Sequence, residues 1–368
     1  MNILMILFGN IENDGRVLRT IDTLKKKFDI TIYSHCDQEN FEINKTKLIK
    51  RKSPNYKKNF FELILFTVQL FKIFFKKKYD IIYLHDFYLA FPVKLISFFS
   101  SSKIIYDAHE LIVPDKENKR NYKDYFFYLL EKVSIKKFNL IIAANKERAM
   151  IMKKHYGLKK IPEIVKNIPR DTIKNKLLTR SYLEKKFEIF KNNKGLFFVY
   201  QGLINPKRNI ENIVMNLSKI QNSQVLLIGS GNKKYIKYLK NLFIKNSVKN
   251  IYFFGDLDLK TLYSILNISD FGIISYSNTN LNNKYCAPNK LYEYALFNLP
   301  MITTDQILFK RTFEKYKIGM IHNEIKNIQD ETYKLINNHD IKTDFKKFNN
   351  SNKQIFESKN LLKALEKI

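Results

Sequence analysis

Cysteine is scarce in this chain: Cys36 and Cys286 are the only two, without metal-ligand spacing and too few for a disulfide framework. A reducing, cytoplasmic setting is the expectation. The opening, Met1-Asn-Ile-Leu-Met-Ile-Leu-Phe, has no basic leader and is too short for a signal core. Nor does any apolar run reach the roughly 18 residues that a membrane span needs. The expected protein is soluble, or peripheral at the inner face of the cytoplasmic membrane. Acidic residues are also few, 35 against 65 Lys and Arg, for a net charge of +30. Residues 1–175 hold 34 Lys and Arg against 19 Asp and Glu, so half of the excess lies there and half in the remaining 193 residues. Charge spread so evenly is no basic arm, and no basic-aromatic recognition motif accompanies it, so nucleic acid is not an expected partner. Nucleotides and phospholipid head groups are the anions such a surface favours.

With 368 residues and 45% apolar content, the chain has material for two folded domains. Its pattern bears this out twice over. Ile3–Leu7 reads as a buried parallel strand, followed by a turn ending at Gly15-Arg16, a helix through Leu24 and a strand at Ile30–Tyr33. Gly15 and Arg16 would then lie past a strand's carboxyl end, where doubly wound sheets place ligands. Asp80–Leu84 and Lys103–Tyr106 are further strands, each followed by a His-carboxylate cluster: His85-Asp86, then Asp107-Ala-His109-Glu110. Those clusters face the same ligand edge. No helix-spaced histidine pair accompanies them, so no metal is expected. The apolar segment Phe60–Phe75 lies between Lys57-Lys58 and Lys76-Lys77-Lys78. It is either an interfacial helix on an anionic membrane or a helix wedged against the sheet with solvated ends.

Residues 1–175 form the expected first domain and 176–194 the connection. From Leu196 the strand, glycine, helix rhythm restarts, giving a second domain over 195–345 and a closing helix over 346–368. Glycines such as Gly202, Gly229 and Gly255 follow its strands, letting backbone approach a ligand. The expected class is α/β, two doubly wound Rossmann-like domains facing a central cleft.

The stretch Tyr285-Cys-Ala-Pro-Asn-Lys-Leu-Tyr-Glu-Tyr-Ala-Leu-Phe-Asn-Leu-Pro300 organises that second half. Pro288 is suited to the first helical position. The N–H groups of the first turn, with Lys290 beside them, make a seat for phosphate. Asn289 and Glu293 share a face one turn down, where a carboxylate can accept from two ribose hydroxyls. Read without a ligand, the same residues are an amphipathic helix burying Leu291, Tyr294, Ala295 and Leu296.

The segments NDGRVLRT, YDIIYLHDFYLA, IIYDAHEL, VKNIPR, YQGLINPKRNIENI, LLIGSGN, FFGDLDLKTLYSILNISDFGII and APNKLYEYALFNLPMITTD occur in that order. Together the chain resembles the large, family-4-like group of retaining GT-B glycosyltransferases, which build bacterial polysaccharides and sugar-lipids. The resemblance implies transfer of a sugar from a nucleotide-diphosphate sugar to a glycan or lipid-linked acceptor, with no cofactor and no catalytic metal. It places the nucleotide among Gly202, Gly229, Gly255, Leu257, Pro288, Asn289, Lys290 and Leu291. Glu293 then holds the ribose, Arg208 and Lys290 the diphosphate, and His109 reaches the donor sugar. Gly15, Arg16, His85 and Asp86 fall on the acceptor side. One position departs: the first glutamate of the family's Glu-x7-Glu pattern is Tyr285, so Tyr285, Asn282 or Asn283 would meet the donor sugar instead. A nucleotide-sugar epimerase of the same architecture is the alternative enzyme class, and a basic nucleic-acid-binding protein the non-catalytic one.

Overall fold

The computed structural model describes residues 1–53, 60–114, 122–170, 174–175, 177–191, 195–322, 328–338 and 340–368. The chain forms two compact units, Met1–Asn167 with Ile355–Ile368, and Ile168–Gln354.

The first unit alternates strands and helices as β1 (Asn2–Asn10), α1 (Gly15–Leu24), β2 (Asp29–His35), β3 (Thr46–Arg51), α2 (Phe60–Lys76), β4 (Ile81–His85), α3 (Ala90–Ile96), β5 (Lys103–Ala108), α4 (Tyr122–Ser134), β6 (Leu140–Ala143), α5 (Lys146–Tyr156) and β7 (Glu163–Ile164). The strands pair in parallel in the order β3-β2-β1-β4-β5-β6-β7. Parallel strands are buried on both faces, which explains their unbroken apolar runs. The order reverses between β1 and β4, and crevices open at the carboxyl ends of strands at such a point. Asn145 caps α5 by accepting from the Arg148 N–H, and Gly157 ends it with φ +61°.

The second unit repeats the plan with α6 (Arg180–Lys186), β8 (Leu196–Gln201), α7 (Glu211–Leu217), β9 (Ser223–Ile228), α8 (Lys233–Lys245), β10 (Ile251–Gly255), α9 (Leu259–Ile268), β11 (Phe271–Ile274), α10 (Leu281–Lys284), α11 (Asn289–Leu296), β12 (Met301–Thr303), α12 (Ile307–Lys315), β13 (Gly319–Ile321), α13 (Ile328–Ile336) and α14 (Ile341–Ser351). Its strands are again parallel, ordered β10-β9-β8-β11-β12-β13, with the reversal between β8 and β11. Both units are Rossmann-like, the expected α/β class.

Two boundaries differ from the sequence reading. Residues 177–191 are no bare connection: Leu183 of α6 and Phe190 are fully buried in the second unit's core with Phe197 and Leu226. The closing segment is two helices, α14 in the second unit and α15 (Gln354–Leu365) in the first. Leu361, Ala364 and Leu365 of α15 pack with Val17, Ile21 and Leu24 of α1. Its first turn also carries Ile355 and Phe356, which are exposed, so apolar residues alone do not single out the packed face. Lys57 and Lys58 lie outside the described residues. Among those described, no helix is long and apolar enough to cross a membrane.

Candidate functional site

In the second unit, α11 is fastened to the switch point by one side chain. The Tyr294 hydroxyl accepts from the Gln201 N–H (3.2 Å) and lies 3.2 Å from Val199 O and 3.3 Å from Ile273 O, so it touches both β8 and β11. Its ring is fully buried, and Gly272 leaves it room: a Cβ there would come within 2.4 Å of the ring. Tyr294→Phe strands the Gln201 N–H and two carbonyls, with an expected cost of about 1–3 kcal/mol in urea unfolding.

Pro288 is the N-cap of α11 rather than its first helical residue, with φ −75°, ψ 139° and no side-chain cap bond. Its extended ψ turns the chain one residue later than expected, and Asn289 opens the helix. Lys290, in that first turn, points back to the end of β8. Its Nζ lies 4.3 Å from the centre of the Tyr200 ring. A Cβ on Gly202 would sit 2.8 Å from that Nζ, and Gly202 has φ +120°, so glycine there serves both backbone and amine. The Lys290 Nζ is buried with no hydrogen-bond partner among the described residues. Burial, then the Arg208 charge, push its pKa well below the usual lysine value, against the pull of Glu293.

Arg208 ends a 3-10 turn, Pro206–Arg208, and its guanidinium lies 4.2 Å from the centre of the Tyr276 ring. The Ser275 hydroxyl fixes the turn by donating to Arg208 O at 2.6 Å. Glu293, one turn down α11, accepts from the Gln201 side-chain amide and, at 3.4 Å, from the Tyr263 hydroxyl. The glycine loops pack backbone on backbone. Gly202 N donates to Ile228 O (2.8 Å) and Gly229 N to Gly255 O (2.7 Å). Gly229 has φ +132°, and a Cβ on it would reach within 2.2 Å of Gly202 O, so no other residue fits. Leu257 packs half-buried against the core just beyond Gly255.

Two expected contacts fall elsewhere. Leu291 is 1% exposed inside the core, because the helix face that carries it turns inward with Tyr294 and Ala295. Asn283 is buried too, donating to Lys207 O (3.4 Å) and Ser277 Oγ (3.1 Å), so its amide holds the 207–283 loops together. Tyr285 is half-buried at the C-cap of α10, its N–H on Leu281 O. Gln201 and Tyr263 were not legible as partners of Glu293, because they come from β8 and α9, far from it in sequence.

In the first unit, His85 and His109 meet at the carboxyl ends of β4 and β5, Nδ1 to Nε2 at 3.1 Å. Asp107 Oδ2 lies 3.6 Å from His85 Nδ1 and 3.9 Å from His109 Nε2, and Asp14 Oδ2 lies 3.7 Å from His109 Nδ1. Burial lowers the His109 pKa to about 4, with His85 and Arg16 acting in the same sense against Asp14 and Asp107. His109 is therefore neutral at pH 7, able to donate one hydrogen bond and accept another. Asp86 has φ +66° in the turn after β4. Among the described residues His85, Asp107 and His109 are the one group that could ligate a metal. The Arg16 guanidinium already occupies Asp107, which makes this a poor cation site.

Arg16, in the first turn of α1, is turned into the fold and only 7% exposed. There it holds Asp107 with Nε and Nη2 (2.6 Å at closest), and Val165 O (2.8 Å) and Asn167 Oδ1 (2.7 Å) with Nη1. Gly15 is the first residue of α1, where a Cβ would meet the Arg19 side chain at 3.1 Å.

No protein-family model matches the chain, and no curated protein sequence does. Solved structures do match. Anabaena HepE, solved with UDP and glucose, has a TM-score of 0.77 at 12% identity, over 100% of both chains. Sucrose-phosphate synthase from Thermosynechococcus elongatus gives 0.74 at 12%, over 100% of this chain and 98% of that one. WaaG, a glycosyltransferase involved in lipopolysaccharide biosynthesis, gives 0.67 at 12%, over 97% and 93%.

Proposed function

We propose that this chain, whose two Rossmann-like units have the GT-B glycosyltransferase fold, moves a sugar from a nucleotide-diphosphate sugar to a glycan or lipid-linked acceptor. One observation carries the reading: a buried lysine with no hydrogen-bond partner among the described residues sits beside an arginine at an uncapped helix start on the switch point. Holding two like charges together with one of them buried is costly, and a diphosphate between them removes the cost. Each rests against an aromatic ring, Tyr200 or Tyr276, which keeps it in place while the anion is absent. Lys290, Arg208 and the first N–H groups of α11 hold the diphosphate. Glu293, steadied by Gln201 and Tyr263, accepts from the two ribose hydroxyls. Gly255 and Leu257 border the base.

In the reaction the bond from the anomeric carbon to the diphosphate oxygen breaks, and the acceptor oxygen bonds to the same face of that carbon. The acceptor proton passes to the departing diphosphate, so configuration is retained without a protein base. The charge that grows on the leaving phosphate meets Lys290 and Arg208, fixed charges that serve without a metal. Neutral His109, in the first unit, can donate one hydrogen bond and accept another, as a sugar hydroxyl requires. Work on a bacterial surface glycan suits this acceptor class.

Thermal shift with a panel of nucleoside diphosphates and their sugars tests the donor site. One base is expected to stabilise the protein by about 2.7 kcal/mol at a hundredfold excess over Kd, and Glu293→Gln to lose most of that gain. A panel in which nothing stabilises the wild type would overturn the reading.

A further inference from the structure

We infer that the outer face of the α2, α3 and α4 layer in the first unit docks on an anionic phospholipid bilayer. The inference stands apart from the donor site and uses none of its residues.

A helix laid on a sheet buries one apolar stripe and turns polar residues outward. α2 does not. It buries Glu62, Phe66, Leu70 and Phe74 at four-residue spacing, while Phe61, Ile64, Leu65, Val68 and Phe75 are exposed, Phe61 and Phe75 to 62% each. α4 repeats the arrangement: Phe127 and Glu131 face inward, and Tyr125, Phe126, Leu129 and Val133 are exposed. Leu95, Phe98 and Phe99 at the end of α3 are exposed between them. The surface is continuous, since the Phe99 ring lies 6.1 Å from that of Phe75 and α3 packs beside α4. Right-handed crossovers from β3 to β6 put all three helices on one side of the sheet, away from α1 and α15. Apolar surface on this scale marks an interaction site.

Charge selects the occupant. Lys72, Lys76, Lys77 and Lys78 are exposed along and after α2, and Lys123 and Lys132 on α4. The acids of these helices turn away: Glu62 and Glu131 are buried and Asp124 half-buried, so none is exposed among the described residues of the three helices. A second copy would set lysine rows against lysine rows in a chain of charge +30. Aromatic and aliphatic side chains rimmed by lysine match the acyl boundary beneath an anionic head-group layer.

Vesicle flotation of the full chain is the test, using phosphatidylcholine with and without phosphatidylglycerol. The wild type is expected to float with the anionic vesicles and to release at high salt. Val68→Glu with Leu129→Glu should cut partition at least tenfold. Lys76→Gln, Lys77→Gln and Lys78→Gln together should cut it about fivefold per lysine. Ile244→Glu, at a 75% exposed position of α8 in the second unit, should leave it unchanged. All these positions are exposed, so unaltered melting curves show that the variants fold. Failure of the wild type to float overturns the inference, as does equal flotation of Val68→Glu with Leu129→Glu. A wild-type dimer in light scattering that those two substitutions dissolve, without vesicle binding, assigns the face to a second copy and also overturns it. Nucleotide thermal shifts read the donor site separately in every variant.

Discussion

Lys290→Met is expected to abolish nucleotide-diphosphate binding while raising the melting temperature of the unliganded protein. The two effects have one cause. In the absence of an anion, the Lys290 amine is buried without a hydrogen-bond partner among the described residues and is repelled by Arg208. Methionine has similar length, fits against Tyr200, and removes both penalties, with a gain of about 1–2 kcal/mol. For a unit of this size that is a rise of a few degrees. With nucleotide present the sign reverses. Losing one buried charge on the diphosphate costs about 2–4 kcal/mol, and turnover should fall by about a hundredfold or more. Paired melting curves, with and without nucleotide, show both signs in one experiment. A lower unliganded melting temperature would mean that Lys290 has a structural partner and is no anion seat. The amine also links binding to pH. Its folded pKa lies below the unfolded value, so the penalty is complete at low pH and fades as pH rises toward the ordinary lysine range. A bound diphosphate raises that pKa again. Nucleotide binding above neutral pH should therefore take up protons, visible as a dependence of calorimetric heat on buffer ionisation.

The largest loss of stability is expected at Arg16. Arg16→Met leaves Asp107, 1% exposed, without its main counter-charge, and removes the Arg16 hydrogen bonds to Val165 O and Asn167 Oδ1 as well. Removing one member of a buried pair costs about 3–5 kcal/mol, which urea unfolding of the full chain measures directly. Replacing both, as Arg16→Met with Asp107→Leu, should recover part of the loss, since no charge is then stranded. The pH dependence follows. Burial pushes the Asp107 carboxyl up, but Arg16 together with His85 and His109 holds it far below the usual range. That contribution is complete above the ordinary aspartate pKa and is lost as pH falls below it toward the folded value. The wild type should lose stability in acid through this group, and Arg16→Met should show a shallower slope there.

Arg16 also shows where a sequence stops being informative. Its place after a strand's carboxyl end could be read from Ile3–Leu7 and the turn that follows. Its direction could not, because the partner Asp107 lies 91 residues away and only the β1-β4-β5 order brings the two together. The same holds for Glu293, whose position on α11 follows from helix spacing while Gln201 and Tyr263 come from other elements. Strands and glycine loops were legible because parallel strands carry long apolar runs and tight turns demand glycine. Leu291 kept two readings, core or ligand, because one residue of helix phase decides between them, and it lies in the core. Here the phase is set by the tertiary anchor of Tyr294, not by local propensity.

Hydrogen exchange with a saturating nucleoside diphosphate tests the donor-site account most directly. The first-turn amides of α11, residues 289–291, have no side-chain cap and should exchange quickly in the unliganded protein. Nucleotide should slow them, together with the 202–208 loop, and Lys290→Met should erase the effect. Protection confined to residues 1–167, or none in α11 at saturation, would contradict the account.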